Sequence, residues 1–107
     1  MAVDDLVLWT NDACSKSREA EALLRERGAV FTTRHYLVDP PTRDELERVL
    51  AMTGSDDPKV IARPGVTIDV LNRLAEDPAL VQRPIALKGD RAVVCRPPER
   101  VLELLED

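Results

Sequence analysis

A short apolar run that passes almost directly into an amphipathic helix constrains the fold of this chain most. The run from Leu6 to Thr10 is flanked by polar residues, which is typical of a buried strand in a parallel sheet. From Ser15 to Arg27 the apolar residues Ala20, Leu23 and Leu24 recur at helical spacing among charges, and a glycine follows as a natural stop. The sequence therefore predicts a strand, a tight turn and a helix of about three turns.

Two further elements are predicted in the first half of the chain. The segment from Val30 to Leu37 is rich in β-branched and aromatic residues, which predicts a second strand, parallel to the first across a βαβ unit. Thr42 is followed three residues later by Glu45, the pattern of a capping box, so a helix should begin there and run to Met52. The first half of the chain is thus predicted as β-α-β-α.

The second half predicts a helical segment, a hairpin and a final helix. A short helical turn is separated by a Pro-Gly pair from a helix over Asp69–Ala75. A two-residue spacer, Gly89-Asp90, joins the apolar segments Pro84–Lys88 and Arg91–Cys95, as in a tight antiparallel hairpin. The last helix is expected over Glu99–Leu105. This order favours an α/β fold of the thioredoxin-like kind, in which helices flank a four-stranded mixed sheet and a helical insertion separates the βαβ half from the ββα half.

Size and charge restrict the class of protein. A length of 107 residues predicts one domain, over residues 1–107. No apolar run approaches the roughly 18 residues needed to cross a bilayer, and the N-terminal residues are acidic, so we expect a cytoplasmic protein without a membrane partner. A net charge of −5 and an aromatic content of 3% argue against direct binding of nucleic acid. Two cysteines and one histidine cannot form a conventional four-ligand zinc site, so we expect no metal, and we expect a monomer.

Cys14 lies in the predicted turn between the first strand and the first helix. Unpaired backbone N–H groups and the helix dipole at such a position favour the thiolate, which predicts a nucleophile. Cys14 and Ser17 form a C-x-x-S motif, which has no second thiol, so an external thiol must resolve an oxidised intermediate. The Ser17 hydroxyl is expected to donate a hydrogen bond to the sulfur. Cys95 ends an apolar strand and is interpreted as a buried structural residue, while chain distance alone leaves a disulfide with Cys14 open.

Four motifs occur in a fixed order along nearly the whole chain. They are Asn11-x-Ala13-Cys14-x-x-Ser17-Arg18, Tyr36-Leu37 with the later Pro40-Pro41-Thr42-Arg43-Asp44-Glu45-Leu46, Arg83-Pro84-Ile85, and Cys95-Arg96-Pro97. With these motifs the sequence resembles the ArsC-like arsenate reductases that depend on glutathione and glutaredoxin. The resemblance implies a thioredoxin-like fold and the reduction of arsenate to arsenite.

The resemblance also implies which residues form the site. Cys14 matches the family's nucleophile, with Asn11 and Ser17 of the same motif as supporting residues. Three arginines match those that bind the oxyanion of the substrate. They are Arg63, Arg83 and Arg96, and we refer to them as the oxyanion cradle. The Arg83-Pro84 peptide bond is expected to be cis. No bound cofactor is implied; glutathione or an equivalent low-molecular-weight thiol would be the co-substrate, and a glutaredoxin-like protein the reductant.

Two positions depart from the family pattern. The family's histidine four residues before the nucleophile is Thr10 here, and its proline two residues before the nucleophile is Asp12. A carboxylate at position 12 that faced inward would raise the pKa of Cys14. These changes leave open a related thiol-dependent reductase that acts on other oxidised substrates. A second alternative, of another class, is a Spx-type regulator that binds RNA polymerase, although such sensors commonly use C-x-x-C and Ser17 removes the second thiol.

Overall fold

The computed structural model describes residues 5–105 and builds them around one mixed sheet. Its strands are β1 over Leu6–Thr10, β2 over Phe31–His35, β3 over Ile85–Lys88 and β4 over Arg91–Val94. They lie in the order β2-β1-β3-β4, and only β1 and β2 are parallel. This is the four-stranded mixed sheet that the sequence predicted, with a βαβ half followed by an antiparallel hairpin half.

Helices cover the sheet and fill the connection between its two halves. They are α1 over Ser15–Glu26, α2 over Arg43–Met52 and α3 over Val70–Glu76, with 3-10 turns over Pro58–Ile61 and Pro78–Leu80 and a C-terminal 3-10 helix over Pro98–Leu105. The predicted capping box of α2 is confirmed. The Glu45 N–H donates to the Thr42 hydroxyl at 3.1 Å, and the Thr42 N–H donates to the Glu45 carboxylate at 3.0 Å. The helical insertion consists of α3 and the two 3-10 turns.

The two faces of β1 pack against different helices because successive side chains of a strand point to opposite faces of the sheet. Leu6 and Leu8 are buried with residues of α1 and of the C-terminal 3-10 helix, and Cys95 belongs to the same cluster. Trp9 is buried on the other face with residues of α2 and of the helical insertion. The central strand β1 is therefore covered on both faces, and its carboxyl end leads directly into α1.

The second strand is shorter than the sequence predicted. It ends at His35 rather than at Leu37, because the N–H groups of Val38 and Asp39 both donate to the His35 carbonyl at 2.9 Å and turn the chain. Val30, expected in the strand, precedes it and is exposed. Tyr36 consequently follows β2 instead of lying within it, and this matters for the site described below.

The remaining elements lie within two residues of their predicted bounds. The Arg83-Pro84 bond is cis, as expected, and so is Arg96-Pro97. Within residues 5–105, no helix combines the length and the apolar character that a bilayer crossing requires.

Candidate active site

The ends of several strands meet at one edge of the sheet. Thr10 pairs with His35 at the last position of the parallel β1–β2 ladder, so Asn11 and Tyr36 leave the sheet side by side. Because β3 runs antiparallel to β1, its amino end lies at the same edge, and Arg83 comes two residues before it. Polar side chains from three distant segments of the chain therefore converge where β1 ends.

The hairpin adds a second arginine to this edge. The Cys95 N–H donates to the Pro84 carbonyl at 2.9 Å and extends the pairing of β3 with β4 by one step. Arg96 follows at once, and its Nε donates to the Arg83 carbonyl at 2.8 Å. Arg83 and Arg96 are thus held next to each other, with the Arg96 guanidinium reaching the backbone of Arg83.

Arg63 is brought to the same region by the helical insertion. Ala62 forms an isolated antiparallel bridge with Val81, and the Arg63 N–H donates to the Leu80 carbonyl at 2.9 Å. The side chain of Arg63 is exposed; burial raises the pKa of the Tyr36 phenol overall, and the Arg63 charge is the smallest of the effects that lower it. The chain segments that carry Arg83 and Arg96 therefore meet at this sheet edge, and Arg83 is the one of the three arginines whose charge affects Cys14.

The loop before α1 is fixed by hydrogen bonds from Asn11. The Asn11 carbonyl accepts from the Cys14 N–H at 2.8 Å, and its side-chain oxygen accepts from the Ala13 N–H at 3.0 Å. The Asn11 N–H donates to the Ser17 hydroxyl oxygen at 3.2 Å. This arrangement sets Cys14 as the N-cap residue of α1, in extended backbone, with its side chain 9% exposed.

Opposing effects set the pKa of the Cys14 thiol. Burial is the largest and raises it, but hydrogen bonding from the Ser17 N–H, the Arg83 side chain and the Lys16 N–H, together with the Arg83 charge, outweighs burial and lowers the pKa from 9.0 to about 7. Within the described helix α1, the Cys14 side chain forms no capping hydrogen bond. At pH 7 roughly half of the sulfur is thiolate, against about 1% for a pKa of 9.0.

The structure defines the surroundings of three residues near Cys14. The Ser17 group that lowers the pKa of Cys14 is its backbone N–H rather than the hydroxyl predicted from the sequence, while the hydroxyl oxygen accepts from the Asn11 N–H. The Asp12 carboxylate does not face inward; it is 74% exposed and lies 3.6 Å from Nδ1 of His35. Thr10 is buried and its hydroxyl donates to the Glu21 carboxylate at 3.0 Å, which ties β1 to α1.

Cys95 is a structural residue in this fold. It is fully buried, and its thiol donates to the Val93 carbonyl at 3.5 Å. Burial is the main cause that raises its pKa to about 12, so it is a poor nucleophile at neutral pH. Both cysteines are free thiols, which answers the question of a disulfide with Cys14. Among residues 5–105, no three His, Cys, Asp or Glu side chains are grouped in a way that could hold a metal ion.

Tyr36 also lies at this edge, although the sequence analysis used it only as part of a family motif and gave it no role. The residue is 1% exposed, and no group of residues 5–105 is in hydrogen-bonding geometry with its hydroxyl. Burial is the main cause that raises the pKa of its phenol, with smaller effects of the Arg83 charge, which lowers it, and of the Cys14 thiolate, which raises it. Asn11 lies near the hydroxyl without a hydrogen bond of normal geometry. Arg83 Nε is also buried and unpartnered.

The pKa of Cys14 predicts the pH dependence of its alkylation. The rate with iodoacetamide should rise about tenfold from pH 5 to pH 6, since only the thiolate reacts, and should level off above a midpoint near pH 7. The rate for the chain with Cys14→Ser supplies the blank, because the buried Cys95 should not react. A midpoint near 9 would contradict the assigned role of Arg83 and of the helix N–H groups.

Comparison with known proteins places this geometry in a family. Residues 9–104 match the family model of the ArsC family. The arsenate reductase of Haemophilus influenzae is 33% identical over 94% of this chain and 98% of its own length, and that of Escherichia coli strain K12 is 33% identical over 98% and 84%. The structure of the arsenate reductase from Vibrio cholerae superposes with a TM-score of 0.85 at 31% identity and covers 95% of this chain and 98% of its own. The chain, with its thioredoxin-like fold, belongs to the ArsC family.

Proposed function

We propose that this protein reduces arsenate to arsenite, with Cys14 as the nucleophile and Arg63, Arg83 and Arg96 as the oxyanion cradle. The observation that carries the proposal is the position of Cys14 as the N-cap residue of α1, at the sheet edge to which the β1–β3 pairing brings Arg83, together with a Cys14 pKa of about 7. The family, and relatives named as arsenate reductases in Haemophilus influenzae and Escherichia coli, support the choice of substrate.

The arginines answer an electrostatic difficulty of this reaction. Arsenate at neutral pH is largely a dianion, so an attacking thiolate is repelled unless cations lie close to both. Guanidinium groups suit this task because they keep their charge and form paired hydrogen bonds with an oxyanion. At an effective dielectric of about 20, one charge pair at about 4 Å contributes roughly 4 kcal/mol before desolvation, so two arginines can outweigh the repulsion. The net charge of −5 does not prevent binding, because charges beyond about 8 Å are largely screened at physiological salt.

The first chemical step is a substitution at arsenic. The Cys14 thiolate forms a bond to As(V), and one As–O bond breaks. The departing oxygen takes protons from solvent and leaves as water, so no electrons are transferred to arsenic in this step. The Ser17 and Lys16 N–H groups stabilise the thiolate before the attack and hold the sulfur at the edge of the site.

The second step is the reduction. A low-molecular-weight thiol such as glutathione attacks the Cys14 sulfur, an S–S bond forms, and the S–As bond breaks with its electron pair going to arsenic. Arsenic is thereby reduced from As(V) to As(III) and leaves as arsenite, while the two sulfurs are oxidised to a mixed disulfide. A glutaredoxin thiol then attacks that disulfide and returns Cys14 to the thiol. The external thiol is needed because Ser17 stands where a second cysteine would be, and Cys95 is buried in the core cluster of Leu6 and Leu8.

The test is arsenite formation by the purified full chain. With arsenate, glutathione and glutaredoxin present we expect continuous turnover; without glutaredoxin we expect no more than about one arsenite per protein, because the mixed disulfide accumulates. Arsenite production no faster than in a protein-free mixture would overturn the proposal. Turnover of a glutathione mixed disulfide without arsenate reduction would instead support the related thiol reductase. Capture of RNA polymerase subunits without any thiol turnover would support the Spx-type regulator.

A further inference from the structure

The Tyr36 hydroxyl is a buried polar group that the fold itself does not satisfy. Its ring lies in the core cluster with Trp9 and Leu46, so the side chain is rigidly packed and 1% exposed. Among residues 5–105 no group is in hydrogen-bonding geometry with the hydroxyl, although the Asn11 side chain lies close enough to lower its pKa. Buried hydroxyls are nearly always paired, because removing such a group from water without a partner is costly. An unpaired hydroxyl in an otherwise well-packed core therefore points to a partner that arrives from outside.

The position of Tyr36 identifies the direction from which that partner comes. Tyr36 follows the last paired residue of β2, next to Asn11 at the edge where Cys14 lies. In the described part of the chain, Arg83 Nε at the same edge is the other buried side-chain nitrogen or oxygen without a hydrogen-bond partner. Both atoms carry hydrogens, since an arginine stays charged and a phenol whose pKa is raised by burial stays protonated at neutral pH. The Arg83 charge acts on the Tyr36 phenol, so the two groups are neighbours, and two unpaired donors in one neighbourhood call for a ligand that offers several acceptors.

We propose that Tyr36 is a further catalytic residue, whose hydroxyl donates a hydrogen bond to an oxygen of the oxyanion that Cys14 attacks. The inference rests on the proposed function in that the oxyanion is taken to be the substrate. A neutral donor in a dry site adds to the cradle without adding charge, and hydrogen bonds to a charged acceptor are stronger than those between neutral groups. The oxygens of a tetrahedral oxyanion supply acceptors for Arg83 and Tyr36 at the same time.

The thiolate is not the partner of this hydroxyl. The groups that lower the pKa of Cys14 by hydrogen bonding are the Ser17 and Lys16 N–H groups and Arg83, and Tyr36 is not among them. The thiolate is near enough to Tyr36 only to raise the pKa of the phenol through charge. Cys14, at the start of α1, and Tyr36, after β2, would thus contact the same oxyanion from different elements. Loss of the Tyr36 hydroxyl should therefore leave the ionisation of Cys14 unchanged.

The experiment removes the hydroxyl and retains the ring. Arsenate binding is measured by calorimetry in a Cys14→Ser background, where no adduct can form, with and without Tyr36→Phe. We expect Kd to rise about tenfold, equivalent to about 1.4 kcal/mol, on loss of the hydroxyl. With Cys14 intact, Tyr36→Phe should lower kcat/KM for arsenate at least as much, leave the alkylation midpoint of Cys14 near pH 7, and not lower the thermal unfolding midpoint.

A matched control and a second anion complete the test. Thr10→Val also removes a buried hydroxyl near this loop, but one that is bound to Glu21, so we expect lower stability and an arsenate Kd within about twofold of its parent.

Phosphate, an oxyanion of the same shape that cannot be reduced, is titrated in parallel. Equal Kd values with Tyr36 and with Phe, or no binding of either anion, would overturn the inference. Weaker binding of both anions by Tyr36→Phe in a protein that fails to reduce arsenate would leave the inference standing and remove only the proposed function.

Discussion

Replacing Cys14 by serine should reduce arsenite formation to the rate seen without protein while the chain stays folded. The serine hydroxyl would occupy the same N-cap position, where serine is a preferred residue, so α1 should be retained or stabilised. It cannot supply the nucleophile, because an alcohol is not ionised near pH 7 and the low pKa of about 7 belongs to the sulfur. Arsenite formation with glutathione and glutaredoxin, together with thermal unfolding, measures both effects.

The other cysteine provides the control for this substitution. Cys95→Ala removes the only other thiol of the chain, from a fully buried position in the core cluster of Leu6 and Leu8. It should cost some stability through lost packing, with turnover per folded protein unchanged. If Cys14→Ser kept appreciable activity, or if Cys95→Ala abolished it in a folded protein, the assignment of the nucleophile would be wrong.

Replacing Arg83 by glutamine should lower kcat/KM for arsenate by about 10- to 100-fold, as expected when a hydrogen bond to charged groups worth roughly 1.5 to 3 kcal/mol is lost. Arg83 acts on Cys14 in two ways, by hydrogen bonding to the sulfur and by its charge. Its loss should therefore also move the alkylation midpoint of Cys14 upward from about 7. Arg83→Lys keeps the charge but not the planar fork, so it should restore part of the shift in the midpoint and less of the arsenate affinity.

Arg73→Gln is the matched control for the loss of one positive charge. Arg73 is exposed on α3 and is not among the groups that shift the pKa of Cys14. Its removal should change neither the alkylation midpoint nor kcat/KM. If Arg83→Gln left both quantities at their starting values, Arg83 would not belong to the oxyanion cradle and the mechanism would need another cation.

The elements with strong local signals were predictable from the sequence. Thr42 and Glu45 lie three residues apart and satisfy each other within one turn, so the start of α2 requires no knowledge of the rest of the chain. The hairpin around Gly89 has the same local character, with Gly89 at a φ of 61° that suits glycine. The shorter β2 was not predictable, because Tyr36 and Leu37 favour strands and the turn that excludes them depends on two hydrogen bonds to His35.

The sequence predicted the candidate site only where a functional residue lies next to a recognisable local element. Cys14 could be recognised from its place between a strand and a helix, whereas the contact between Arg83 and Cys14 depends on the long-range pairing of β1 with β3. Tyr36 was given no role because a tyrosine within a predicted strand is ordinary. One signal was available: Tyr36 is the only tyrosine of the chain and comes shortly before a Pro-Pro pair, near the end of a strand expected to lie parallel to β1.

The N-cap position of Cys14 couples the oxidation state of the sulfur to the stability of α1. A pKa lowered from 9.0 to about 7 means that ionisation of Cys14 stabilises the folded chain relative to the unfolded chain by roughly 3 kcal/mol, a contribution complete above pH 9 and lost as the pH falls through 7. A sulfur that is alkylated or part of a mixed disulfide is neutral at every pH, so it lacks this stabilising negative charge even above pH 7. The first turn of α1 should therefore be less stable in the mixed disulfide than in the thiolate form. A reductant would then attack Cys14 while this turn opens more readily.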